Sequence, residues 1–144
     1  MFSPASARAA SSYRKASIDG ASPYQLINIL FERTLQSLRA ARISLEQGDT
    51  TAKCQHIGMA VRYIEEGLKL GLNPDRSDEL ANRLSGLYDY CVRRLTLANL
   101  RSDDEPIAEV LHLVEEIAGG WRGIAGEAQQ VRPAASFPFA PVGA

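Results

Sequence analysis

Apolar residues recur at three and four residues in four separate stretches of this chain, and each stretch is bracketed by its own start and stop signals. That is the period of one face of a helix. The first stripe is Ile27, Leu30, Phe31, Thr34, Leu38, Ala41 and Leu45, preceded by Ser22-Pro23-Tyr24-Gln25 and followed by Gly48. Ser22 suits a cap, Pro23 the first helical position, and Gln25 the return bond of a capping box. The second stripe is Cys54, Ile57, Val61, Ile64 and Leu68, with Asp49 or Thr50 as cap and Gly71 and Pro74 as stops. Ser77-Asp78-Glu79 opens the third, whose stripe is Leu80, Leu84, Leu87, Tyr88, Cys91, Leu95 and Ala98. Ser102 and Glu105 offer a capping box for the fourth, with Pro106 in its first turn and Ile107, Val110, Leu111, Val114, Ile117 and Trp121 on its inner side. Period-two alternation between hairpin turns is absent from the sequence. Four amphipathic helices of similar length on short connections bury their stripes most simply as an all-α, antiparallel four-helix bundle.

The bundle is expected over residues 22–125. Before it, residues 1–21 include a short, weak helix from Ala5 to Ser17, with Phe2, Tyr13 and Ile18 as its apolar side chains, which needs the bundle as a dock. After it, residues 126–144 read as a mobile Pro- and Ala-rich tail containing Phe137 and Phe139. The chain has 144 residues, 45% of them hydrophobic, enough for one core without staples. Lys and Arg number 16 against 17 Asp and Glu, so no overall field attracts nucleic acid. Cys54 and Cys91 stand far apart and give neither a disulfide framework nor a paired-cysteine motif. Arg8, Arg14 and Lys15 interrupt any secretion signal, and no apolar run is long enough to cross a bilayer. A cytoplasmic protein in the reducing cytosol is expected.

Glu109-x-x-His112 has the spacing of a di-iron bundle ligand pair, but that chemistry needs four carboxylates and two histidines. The other histidine, His56, has Lys53 where the matching carboxylate belongs. His112 is therefore expected at the surface, with no metal and no cofactor. Both cysteines fall on predicted core stripes, where a thiol behaves as a small hydrophobe and not as a nucleophile. Gly119-Gly120 lacks the Lys and Ser or Thr of a phosphate loop, and Asp103-Asp104-Glu105 complements a helix N-terminus. No catalytic residue is expected.

Some apolar side chains are left over by the four inward stripes. Met59, Tyr63 and Leu70 lie nearly opposite the Ile57, Val61, Ile64 stripe, at about 100° of rotation per residue. Tyr90 and Leu97 share a flank bordered by Arg83, Arg93 and Arg94. Scattered apolar residues covered by arginine stems explain this blandly. The functional reading is a groove for amphipathic helices, in which apolar strips supply affinity and arginines fix register. The N-terminal segment would then be a removable cap over it.

A longer series of residues carries a family resemblance. Ala21-Ser22-Pro23, Leu26-Ile27, Leu30-Phe31, Leu45-Glu46-Gln47-Gly48-Asp49, Leu87-Tyr88-Asp89-Tyr90, Arg93-Arg94-Leu95, Ala98-Asn99 and Trp121 follow one another in an order that resembles the flagellin export chaperones, the FliS family. The likeness runs from Tyr13 to Trp121. Departures include Cys91 where the family commonly has Met and Phe2 where it commonly has Tyr. The resemblance implies an antiparallel bundle with a short N-terminal capping helix, and a non-enzymatic chaperone of flagellar type III secretion. Its partners would be the disordered C-terminal segment of flagellin and the cytoplasmic domain of the export gate, with no nucleic acid and no membrane insertion. It also implies that Tyr13 and Ile18 contact client and gate. Tyr90, Arg93, Leu97, Asn99, Met59 and Tyr63 are the groove candidates from helical position, while Leu84, Tyr88 and Trp121 belong to the core. A metal-containing bundle enzyme and a regulatory adaptor are the competing classes.

Overall fold

The computed structural model describes residues 22–72 and 79–135, and they are almost entirely helical. Helix α1 spans Pro23–Glu46. Its start is the expected capping box: Ser22 Oγ accepts the Gln25 amide at 3.2 Å, and Gln25 Oε1 accepts the Ser22 amide at 2.9 Å. Its end is set by Gly48 at φ +75°, a left-handed position that costs glycine nothing. The Asp49 amide then reaches back to Ser44 O at 2.8 Å and the Gly48 amide to Leu45 O at 3.1 Å, which satisfies carbonyls the helix would leave open.

Asp49 also caps α2, Thr50–Arg62, by accepting the Ala52 amide at 3.1 Å. The helix then widens into a π-helical stretch, Tyr63–Lys69, which sequence periodicity does not reveal. Gly67 lies within it at the closest approach of α1, where an added Cβ would stand 2.9 Å from Leu30 Cδ2. Helix α3 spans Glu79–Arg101, and its proposed opening residues Ser77 and Asp78 fall outside the described segment. Helix α4 spans Asp104–Ala135. It continues past residue 125, where the tail was expected to begin. The turn between α3 and α4 corrects one expectation: Asp103, not Ser102, supplies the capping oxygen, accepting the Glu105 amide at 3.2 Å. Ser102 cannot, because it occupies the left-handed position of the turn at φ 51°.

Each helix packs on the next, and α4 returns to α1, while among the described residues the backbones of α1 and α3, and of α2 and α4, lie apart across the core. Pairs such as Arg39 with Glu115, Lys69 with Asp89 and Arg94 with Glu105 show that neighbours run antiparallel. The result is a square up-and-down bundle. One end, the closed end, holds the α1–α2 and α3–α4 turns. At the other, the open end, α1 begins, α2 finishes, α3 begins and α4 runs on. No described helix is long and apolar enough to cross a membrane.

The core is built from Phe31, Leu35, Leu38 and Ala41 of α1, Ile57, Ala60, Ile64 and Leu68 of α2 and its π-helical extension, Tyr88, Cys91, Leu95 and Ala98 of α3, and Ile107, Val110, Leu111, Val114 and Ala118 of α4. Leu84 and Trp121 pack against it half-buried. Three residues assigned inward by periodicity are exposed. Cys54 is exposed, and its neighbour Lys53, at 1% exposure, takes the inner place. Leu80 is 58% and Leu87 37% exposed, because they sit at the edge of the α3 stripe toward α4 and not at its centre. Lys53 is inside because it has work there: its ammonium donates to Asn99 O at 2.9 Å and Asn99 Oδ1 at 3.1 Å. Asn99 O belongs to the last turn of α3, where carbonyls lack helical partners and a cation is favoured.

Candidate functional site

On α3, Leu80, Arg83, Leu87, Tyr90, Arg94 and Leu97 recur at three and four residues along the flank that faces α4. Opposite them on α4 run Glu105, Glu109, Leu113, Ile117, Gly120 and Ile124, at the same spacing. This seam changes character along its length. Toward the closed end it is polar: Tyr90 Oη donates to Glu109 Oε2, Arg94 Nε donates to Glu109 Oε1 at 2.7 Å, and Arg94 Nη2 reaches Glu105 at 3.5 Å. Toward the open end it is mainly apolar, with Leu80, Leu87 and Ile124 exposed and Leu113 and Ile117 half-buried against the core, beside the exposed ion pair of Arg83 with Glu79.

The polar part behaves as a latch between α3 and α4. Hydrogen bonds from Tyr90 and Arg94 hold the Glu109 carboxyl below its usual range, and the same bond to Glu109 raises the Tyr90 phenol. Glu109 titrates lower folded than unfolded, so its contribution is present above the unfolded carboxylate pKa and is lost as pH falls through the lowered folded value. The raised Tyr90 contributes below the unfolded phenol pKa and loses that contribution as pH rises through the folded one. The groups are near the surface, where screening keeps such terms small.

The remaining candidates lie elsewhere. Met59 is exposed on α2 and Tyr63 half-buried at the start of its π-helical extension, diagonal to α4 and therefore off the Tyr90 seam; Leu70, also exposed, follows the π-helical stretch. Tyr90 and Leu97 share the α4-facing flank of α3, and Arg93 is exposed on its outer side. Asn99 is turned to an internal task, both its oxygens accepting from Lys53. The structure thus divides the groove candidates into an α3/α4 patch and an α2 patch. Tyr13 and Ile18 lie outside the described residues. Leu80 and Leu87, which periodicity assigned inward, and Ile124, which it did not single out, are surface residues. The signal was present in the second, three-four-spaced row on α3, hidden because its leucines adjoin the core stripe.

Reactive groups are scarce. His112 is exposed and pairs with Glu116 at 3.2 Å, while Glu109 is committed to Tyr90 and Arg94. No cluster of metal-ligating side chains occurs among the described residues. Burial pushes the Cys91 thiol up to about 11, which keeps it protonated and inert. Arg39 and Arg42, beside an open depression between α1 and α4, are already paired with Glu115 and Asp104.

The described residues form a helical bundle whose surface carries exposed apolar strips. Residues 5–128 match the family described as flagellar protein FliS. The chain is 43% identical to the flagellar secretion chaperone FliS of Salmonella typhimurium over 123 residues, covering 85% of this chain and 86% of that one. With the Escherichia coli flagellar secretion chaperone FliS it shares 35% over 108 residues, 75% of this chain and 79% of that one. It belongs to the FliS family of flagellar secretion chaperones, which are not enzymes. A solved structure described as a flagellar chaperone from bacteria has the same fold, with a TM-score of 0.68 at 23% identity over 83% of this chain and 97% of the other.

Proposed function

We propose that this chaperone binds the disordered C-terminal segment of newly made flagellin in the cytosol, keeps it from polymerising, and brings it to the cytoplasmic domain of the export gate. The observation that carries the reading is the exposed apolar row of the α3/α4 seam, with Leu80, Leu87 and Ile124, in a chain of this family. A segment that folds as amphipathic helices on binding buries its apolar face on such strips. In the filament the same face makes coiled-coil-like contacts, so masking it blocks assembly. Tyr90 and Leu97 contact the client on the α3/α4 seam, Arg93 on the outer side of α3, and Met59 and Tyr63 on α2 and its π-helical extension. Asn99 acts behind them, fixing the end of α3. Tyr13 and Ile18 serve client and gate contacts. Release follows from handover to the export machinery and needs no nucleotide.

Calorimetric titration with a peptide of the last ~40 residues of flagellin tests the proposal, a length able to cover a standard interface. Tight one-to-one binding with a negative heat-capacity change is expected. Leu97→Glu, on the rim and away from the core, is expected to weaken it at least tenfold, about 1.4 kcal/mol, with the thermal midpoint unchanged. Tyr90→Ala is expected to weaken it as well. Absence of binding by the folded wild-type protein would refute the client assignment.

A further inference from the structure

At the open end, α1 and α4 meet through Tyr24 and Trp121, whose ring centroids are 5.6 Å apart at a tilt of 38°. Asn28 lies one turn beyond Tyr24, and the antiparallel register fixed by Arg39 with Glu115 and Arg42 with Asp104 brings it level with Trp121. Here two buried polar atoms have no hydrogen-bond partner among the described residues: Asn28 Oδ1 and Trp121 Nε1. The contrast with the closed end is sharp, because there even a buried ammonium finds two acceptors. An amide oxygen only accepts and an indole N–H only donates, and burying either unpaired is costly.

The N–H and C=O of a single residue in extended backbone point to the same side, so one such residue offers both missing partners, an N–H for Asn28 and a C=O for Trp121. Peptide groups inside a helix already satisfy one another, so the ligand has to be backbone in an extended stretch. We propose that Asn28 and Trp121 form a subsite for extended polypeptide backbone within the client segment, an inference that rests on the client reading above. Tyr24 is the moving part. It sits in the first turn of α1, where helical amides are least anchored, and its ring stacks on that of Trp121.

Trp121 is the sole tryptophan of the chain, so the ¹⁵N-labelled full-length protein gives one indole N–H cross-peak. Titration with the same flagellin peptide is expected to move that peak downfield and slow its exchange with solvent. Asn28→Leu is expected to leave the thermal midpoint equal or higher, since it removes an unpaired acceptor, while weakening peptide binding about tenfold. Backbone cross-peaks that shift while the indole stays fixed would overturn the subsite and leave the client reading intact. So would wild-type affinity in Asn28→Leu, or an indole proton already hydrogen-bonded in the free chain through a buried water or residues 1–21. No shift anywhere would overturn the client reading, and the subsite with it.

Discussion

The two ends of the bundle are built to different standards of completeness. At the closed end both turns follow one plan, a left-handed residue followed by an amide that reaches back across the helix end, Asp49 to Ser44 and Asp103 to Ala98. Lys53 then closes α3 from inside. At the open end two buried polar atoms stand unpaired, α2 is wound as a π-helix, and Leu70, Leu80 and Ile124 face outward. Packing that satisfies every donor fixes one arrangement, whereas unfinished pairing leaves room for a partner to complete it.

The largest effect that would test this contrast belongs to Lys53→Ala. It removes a buried side chain and strips the end of α3 of its cation, so a loss of about 3 kcal/mol in urea-unfolding stability is expected. A loss under ~1 kcal/mol would mean the closed end is not fastened there. Next comes Gly48→Ala, which forces a side chain into φ +75° and is expected to cost about 1–2 kcal/mol by the same measurement. Ser102→Gly relieves the corresponding strain in the other turn, and a gain of under ~1 kcal/mol should appear as a raised thermal midpoint. The smallest change is expected for Gly67→Ala at the open end. Its new Cβ meets only the flexible tip of Leu30, and the steric cost is offset by helix propensity worth about 1 kcal/mol. If Gly67→Ala proved as damaging as Lys53→Ala, the open end would be as tightly set as the closed one and the comparison would fail.

What was legible in the sequence was local. Ser22, Gln25, Gly48 and Asp49 do what their chemistry dictates within a few residues, and the stripe centres Phe31, Leu38, Ile64, Leu95 and Val114 are all buried. What escaped depends on distant chain. Lys53 displaces Cys54 from the interior only because the end of α3, remote in sequence, needs a donor. Leu80 and Leu87 are outward because of where α4 lies, and the π-helical stretch accompanies the close approach of Leu30 to Gly67. Of the groove, Met59, Tyr63, Tyr90 and Leu97 were legible as leftover apolar positions, but their division between two faces was not, since it follows from which helices are diagonal.

That diagonal arrangement has a mechanical corollary. Among the described residues the four helix backbones are joined in a closed ring, each lying close to two others and not to the one across the core. A closed ring of four links can lose any one link and remain a single connected row. A wedge driven between α3 and α4 would therefore turn the square into an open strip without setting any helix adrift, and a second cut would be needed before the molecule came apart.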